Sequence, residues 1–531
     1  MSLAFGLSCK GGLNTNLNEF DMLQNPGLAK ELQNFEVDPD GGYRRINGYS
    51  NYGDTRPEGA SKILGVTPYG PGVVACVDTS IYYTEDGSTW TQINVDTGNS
   101  GVLQSALSSQ SVLDRPNQGQ AQFSLMKSSL SATSATYGSL SIATGPNKVA
   151  HFHIDGTGNT RKFVYRETSS PSAGQFIEIH DKHLCVVDTT NAPSTLSYSK
   201  TNDDKDFTGT GSGSVTIADD ITGIKSFRGS LFIFCQNSIH RLDNINDSAN
   251  TTVVQITNNI GCLSGYSIQE FAGDIIFLAP DGLRLVAATS RIGDVELGSV
   301  SRQVQALLAS LTSSISSYTV SSVVLRNRSQ YRLFYTGSGA DINASLGVIG
   351  TLTPNGFEWS QVKGIQAPAI SSGFNATGIE KVYHGDNLGY IYNHDTGSNF
   401  YQNGTVKTIS AKYLTPNLDF GDVGTLKTLK YAKVSIGPEG DITPFLRVRY
   451  DYEDPAIPQP GDYEITNIRT PAVFGSSLFN SATFGGSLDP MTRLSIQGSG
   501  HTCSFKIFTD DNKPSYSING LYIDYMPSGR R

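Results

Sequence analysis

Eight histidines and six cysteines are the side chains in this sequence best suited to hold a metal or attack a substrate, and their spacing assembles little. His151 and His153 stand two apart, so on a strand both imidazoles leave the same face; His180 and His183 follow at short range. Two imidazoles begin a metal site, but a structural zinc needs four ligands and a catalytic one at least three. The ordinary reading is sheet side chains, and no metal is expected. Asp38-Pro-Asp-Gly41 and Asp203-Asp-Lys-Asp206 have the look of calcium-loop fragments without the downstream bidentate Glu, so solvated turns explain them better. Cysteines 9, 76, 185, 235, 262 and 503 form no C-x-x-C pair and mostly sit inside apolar runs, where a free Cys behaves as a small core residue. There is no G-x-S-x-G elbow, no G-x-x-x-x-G-K-[ST] phosphate cradle and no H-E-x-x-H helix. No catalytic residue and no cofactor is therefore nominated, and the chain is expected not to be an enzyme. Tyr43, Arg44 and Arg45 form the one polar group suggesting recognition: paired guanidinium groups suit a planar carboxylate on a neighbouring subunit or partner.

The elements that would carry such residues are strands and turns. Thr84-Glu-Asp-Gly-Ser-Thr-Trp90 is close to the Asp-box of sialidase propellers, Ser-x-Asp-x-Gly-x-Thr-Trp, one residue short. In such a turn Asp86 would tie down backbone N–H groups, Gly87 would supply the turn and Trp90 would wedge against the sheet, a structural task. The same theme, a Tyr-bearing strand followed by an Asp-rich turn and an aromatic residue, returns at Leu196 to Phe207 and Tyr390 to Phe400. Apolar runs such as Val73 to Val77, Leu184 to Val187, Leu231 to Cys235 and Ile275 to Leu278 carry no charge, which suits strands buried on both faces. Turn landmarks recur irregularly, compared with about 40 to 50 residues per blade of known propeller repeats. The pattern predicts an all-β chain, a degenerate six- or seven-bladed β-propeller followed by a C-terminal β-sandwich, with two packed antiparallel sheets as the competing arrangement.

Composition agrees. The chain has 531 residues, rich in Gly (56), Tyr (25) and Phe (24), which favours turns and strands over helix. The clearest helical periodicity is at Ser299 to Ser310, where Val300, Val304, Leu307 and Leu308 share a face. A formal charge of -9 argues against a chain that grips nucleic acid. No apolar run reaches the roughly 18 residues of a membrane span, and Met1 to Lys10 lacks a signal-peptide pattern, so assembly in a cytoplasm without membrane insertion is expected.

Along the chain the reading is an extended attachment segment at 1–59, a propeller at 60–402 and a sandwich at 403–531. Leu28, Leu32 and Phe35 are spaced for one short amphipathic turn in the first segment. The Ser-, Gln- and Thr-rich stretch at about 98–146 reads as an insertion between blades. After Thr396 period-two alternation takes over, as in Val406 to Tyr413 and Ser504 to Phe508, the mark of a sheet with one dry face.

The two ends resemble a known family. Lys10-Gly-Gly-Leu-Asn14, Asn25-Pro-Gly27 and Glu31 to Tyr49, with Tyr413 to Gly421 and the close Tyr516 to Arg531, are similar to tail nozzle (tail tubular or stabilisation) proteins of short-tailed bacteriophages. That resemblance implies a structural virion protein located in the tail. It further implies a homo-hexameric ring below the portal and its head-to-tail adaptor protein, extending the DNA ejection channel and anchoring a tail fibre or spike protein during host attachment. No catalytic residue is carried over from it. An acidic ring wall would let genomic DNA pass without tight binding. A carbohydrate-binding or carbohydrate-cleaving propeller, and a receptor-binding tail protein, are the alternatives.

Overall fold

The computed structural model describes residues 3–38, 41–53, 55–57, 59, 61–95, 111–112, 115–127, 137–155, 162–168, 170–247, 250–286, 299–339, 345–375, 377–402, 404–466 and 491–530. Seven antiparallel sheets follow one another round an axis. Blades one to four begin with Ile63–Tyr69, Gln122–Met126, Phe176–His180 and Ile221–Phe227; blades five to seven begin with Gln269–Phe271, Thr319–Leu325 and Ala369–Phe374. Among the described residues blade five has three strands, and each of the others has four or is the four-strand part of a larger sheet. The second strand of a blade lies between neighbouring blades and is covered on both faces, which is why Gly72–Val77, His183–Val187 and Asp274–Ala279 are buried throughout and, after the leading His183 and Asp274, apolar.

Six of the seven blade-to-blade interfaces have an apolar cluster of their own, and the seventh, between blades five and six, is part of the large core shared with the sandwich. Val74, Ile81 and Phe152 fill the gap between blades one and two, Ala143 and Leu184 that between two and three, and Leu196 and Ile233 that between three and four. Phe234 meets Phe277 between four and five, Val323 and Tyr392 join six to seven, and Val66 and Tyr383 join seven to one. Hydrogen bonds run round the inner circle as well. Ala121 N–H donates to Leu64 O (2.8 Å), Ile177 N–H to Gln122 Oε1 (3.1 Å), Ser322 Oγ to Tyr266 O (2.7 Å) and Ser371 Oγ to Val66 O (2.6 Å). The last of these closes the ring. Closure is reinforced from the start of the chain: Tyr49–Asn51 adds the fourth strand of blade seven, pairing Tyr49 with His394.

The strands from Ile409 onward form the sandwich. Ile409–Leu414, Cys503–Asp511, Phe445–Tyr450 and Tyr463–Glu464 make one sheet; Tyr516–Arg530 and Thr425–Pro438 are the spine of the other, which Met491–Ser495 extends. Alternating burial in Ile409–Leu414 and Phe445–Tyr450 reflects one dry face each. Between the sheets lie Tyr413, Val434, Val448, Phe505, Ile518 and Ile523, in a core continuous with Leu333 and Trp359 of blade six.

The first 51 residues thread through both bodies. Leu3–Ser8 and Tyr43–Arg45 pair with Tyr516–Arg530, and Glu31–Gln33 is inserted between blade six and the sandwich, with Gln33 opposite both Gln361 and Lys412. The amphipathic turn expected at Leu28 to Phe35 is instead two short strands, Glu31–Gln33 and Phe35–Val37, hinged at Asn34 with φ of 54°. Two open sheet edges on either side capture this segment, and tertiary pairing overrides its weak helical spacing. The helix near residue 300 is Gln305–Ser313, preceded by a short 3-10 turn, Arg302–Val304. The stretch read as an insertion contains the two innermost strands of blade two, Gln122–Met126 and Ser139–Ala143; its Ser-rich composition hid them. Residues 98–110, 113–114 and 128–136 of that stretch lie outside the described residues.

Candidate functional site: the axial cavity

The inner strands of all seven blades surround a cavity of about 320 Å3. Polar side chains face it because an inner strand has one face toward the axis and one toward its blade. Thr67, Glu178, Lys225, Gln269 and Ser372 line it, with Phe123 as an aromatic wall. Glu178 and Lys225 pair at 3.0 Å across the boundary of blades three and four, and Glu178 also accepts the Ser226 N–H at 3.3 Å. Arg326 stands at the rim, paired with Glu380 at 2.7 Å and lying 5.7 Å over the Phe374 ring.

A second chamber of about 440 Å3 lies where the inner strands begin, bounded by Lys62, Gln118, Ser264, Tyr318 and Thr319. The two chambers share Leu64 and Gln120. Gln120 is the bar between them. Its Nε2 donates to Val320 O (2.8 Å) in blade six and to Pro368 O (3.1 Å) ahead of blade seven, and its backbone carbonyl accepts the Tyr266 hydroxyl (2.5 Å) and Gln175 Nε2 (3.1 Å). Burial pushes the Tyr266 phenol pKa up, so that hydroxyl stays a donor.

The residues that sequence singled out lie elsewhere. Tyr43 and Arg45, expected as candidates for a partner surface, are buried at 0% and 1% exposure and make their contacts inside the chain. Tyr43 donates its hydroxyl to Gly27 O at 2.8 Å, and the Arg45 guanidinium bonds the carbonyls of Lys513 and Asp511, each at 2.6 Å. Arg44 is clamped by Glu36 at 2.8 Å and Glu439 at 2.5 Å. Neighbouring strands supply these partners, which adjacent residues in sequence cannot announce.

Asp86 organises the turn after the third strand of blade one. Its Oδ1 accepts the N–H groups of Ser88 and Thr89, each at 2.8 Å, and the Thr84 hydroxyl at 3.0 Å. These bonds, from Thr89 and then Ser88, hold the Asp86 carboxyl below its ordinary pKa. Gly87 has φ of 73°, and a Cβ there would stand 2.7 Å from Tyr52 O, so close approach of the two backbones requires glycine. Trp90 Nε1 donates to Thr55 O at 3.3 Å. Asp206 repeats the device in blade three, accepting from Thr208 and Gly209 N–H at 2.9 Å each.

Ser141, His151 and Asp204 meet at the boundary of blades two and three, all fully buried. Ser141 Oγ and Asp204 Oδ2 approach the same imidazole nitrogen, Nδ1, at 3.0 and 3.4 Å. A nucleophilic relay needs them on opposite nitrogens, so this is a buried polar cluster. His183 binds Ser199 O and Asn246 Oδ1 at 2.5 and 2.8 Å, and His180 binds Ser226 Oγ at 2.9 Å. Among the described residues no group of three or more His, Cys, Asp or Glu side chains is placed to hold a metal ion. All six cysteines are buried and free, and burial pushes the Cys76 thiol up to about 12.

The cavity residues escaped sequence reading. The signal available was a single charged residue next to or inside the first strand of a blade: Lys62 just before Ile63–Tyr69, Glu178 in Phe176–His180 and Lys225 in Ile221–Phe227.

No protein family matches the chain, and no curated protein does. Among solved structures it matches an exo-beta-1,3-galactanase from Phanerochaete chrysosporium, with galactose, at 8% identity and a TM-score of 0.26, covering 90% of this chain and 100% of that one. The expectation that the chain is not an enzyme is corrected on this point: a protein it matches is one, so the lack of a familiar catalytic motif excludes nothing. At that TM-score no residue and no substrate is carried across.

Proposed function

We propose that this propeller-bearing chain is a structural virion subunit, the tail nozzle of a short-tailed phage, built to dock with further copies of itself. The observation that carries the reading is the joining of the two chain ends. The segments that resemble the nozzle family, near residues 10–49 and 516–531, belong to one assembly of strands, in which Leu3–Ser8 and Tyr43–Arg45 both pair with Tyr516–Arg530. Glu31–Gln33 then ties that assembly to blade six through backbone pairing, which makes propeller and sandwich a stiff unit suited to a ring. In this reading the ring encloses the ejection channel between subunits, contacts the adaptor above and holds a fibre or spike below. Native mass measurement of the purified chain, with imaging of particles carrying it, tests this: six-fold rings at the tail tip are expected, and a monomer or trimer absent from particles would end the reading.

A second reading is favoured by the axial cavity. Its mixture of Glu178, Lys225, Gln269, Ser372 and Phe123 suits a polyhydroxylated ligand, which needs donors and acceptors on its hydroxyls and an apolar wall for its ring face. A carbohydrate-binding or carbohydrate-cleaving propeller is the function that follows. A glycan array combined with reducing-end release from bound glycans tests it, and silence in both would remove it.

A further inference from the structure

Blade four ends in a strand whose outer edge no described residue pairs with. Thr252–Thr257 pairs on one side with Ile239–Asp243 and terminates its sheet on the other. Its residues are exposed or partly exposed, Val253 at 43% and Val254 at 42%. No charged residue falls between Thr251 and Gly261. An edge left to solvent is ordinarily kept short, charged or covered, because its free N–H and C=O groups template another strand. Other outer strands follow that rule: Thr91–Gln92 and Gly213–Thr216 are short, Lys162–Glu167 carries Lys162, Arg166 and Glu167, and Gly282–Leu285 is largely buried. Thr252–Thr257 does not.

Blade seven has the matching edge. Its sheet continues past Tyr49–Asn51 through Phe400–Gln402 to Thr405–Lys407, an exposed strand with Val406 at 50%. Strand sense distinguishes the two edges. In a four-strand antiparallel blade the outer strand runs against the inner one, as Thr252–Thr257 does. In blade seven Phe400–Gln402 is parallel to Tyr49–Asn51 and Thr405–Lys407 turns back, so the last strand has the sense of the inner one. Rotation about an axis parallel to that of the propeller keeps the sense of every strand. In a ring made that way the edges of blades four and seven meet antiparallel, whereas two copies of either edge would meet parallel, the weaker pairing. Charge agrees: Lys407 arrives at the Thr252 end, where Asp243, paired with Arg241 at 2.9 Å, is followed by Asp247 in the turn. We propose that Thr252–Thr257 takes Thr405–Lys407 of a second copy of this chain as its next strand, a contact repeated from subunit to subunit round a ring.

This inference rests on the nozzle reading and names the two surfaces by which its copies meet. All six native cysteines are buried, so a thiol placed on either edge is the one a reagent reaches. The test is cross-linking of the full chain with a short bis-maleimide. Val254→Cys co-expressed with Val406→Cys is expected to give covalent dimers, either variant alone to give none, and the double variant to give a ladder of higher oligomers. Val254→Lys is expected to raise the concentration at which the ring dissociates tenfold or more, read by native mass measurement, and Lys407→Glu to raise it several-fold. Thermal unfolding reports whether each variant is folded; should Val254→Lys fail to fold, the linking pattern decides. Linking in Val254→Cys alone would reveal a two-fold contact and overturn the proposal. A six-fold ring of the unaltered chain with no linking in the co-expressed pair, or with dissociation unchanged in folded Val254→Lys, would overturn it and leave the nozzle reading standing. A chain that stays monomeric would overturn it too, and its absence from particles would end the nozzle reading as well.

Discussion

Gln120 of blade two reaches across the propeller axis to Val320 of blade six, donating its side-chain N–H to the carbonyl at 2.8 Å. The blades pack on one another through apolar clusters that do not include Gln120, which instead stands where the two axial chambers meet. Gln120→Ala is expected to lower stability by about 1 to 3 kcal/mol, the cost of leaving carbonyls in a closed site without a donor. Urea denaturation measures this. A change under a few tenths of a kcal/mol would mean that water replaces the amide without loss.

Glu36 gathers the guanidinium groups of the junction between propeller and sandwich. It accepts from Arg44 (2.8 Å), Arg332 (3.1 Å) and Arg328, and from the amide of Gln330 at 3.0 Å. Its side chain is 3% exposed and that of Arg332 1%. Replacing it with Ala leaves Arg44 with Glu439, but leaves the buried Arg332 to share Asp395 with Arg328, so Glu36→Ala is expected to cost about 3 to 5 kcal/mol. A fall of less than 1 kcal/mol in equilibrium unfolding would count against a cooperative network.

Stability is expected to fall as the solution is acidified below neutrality. His384 is held well below the ordinary histidine pKa by burial and then by His394, whose own pKa burial and then Arg332 and Arg328 push well down. Groups with a depressed folded-state pKa take up protons more readily when unfolded. Their contribution is therefore complete above about pH 6.5, the unfolded value, and is lost as pH drops towards the folded values. Melting temperatures between pH 8 and pH 5 should decline, and less steeply in His384→Phe. An identical slope in that variant would show that other groups set the acid limit.

Asp86→Ala removes the acceptor for two backbone N–H groups at an exposed turn. Water can satisfy those donors, so the expected loss is small, about 1 kcal/mol. Proteolysis at the turn is a more sensitive gauge, with faster nicking near Gly87 expected in the variant; an unchanged digestion rate would mean that Gly87 and Trp90 suffice to hold it.

How much was legible follows the range of each interaction. Strand character, the dry second strands of the blades and the period-two sandwich strands are written in nearest-neighbour patterns, because burial on one or two faces of a strand selects side chains residue by residue. The blade count was not legible to one unit, since serines interrupt the apolar residues of blade two's inner strands; Ser139 and Ser141 are buried there by hydrogen bonding to Asp204, 65 and 63 residues away.

What the sequence by itself determined is that this chain is a succession of short apolar strands with polar turns, all-β, with a propeller followed by a sandwich preferred over two packed sheets. Only the tertiary structure decided that Tyr43 and Arg45 are interior and that Gln120 spans the axis. The physical reason is that a strand edge accepts any extended segment that fits its register, and a ring of blades brings together side chains hundreds of residues apart. Such meetings leave no periodic trace along the chain.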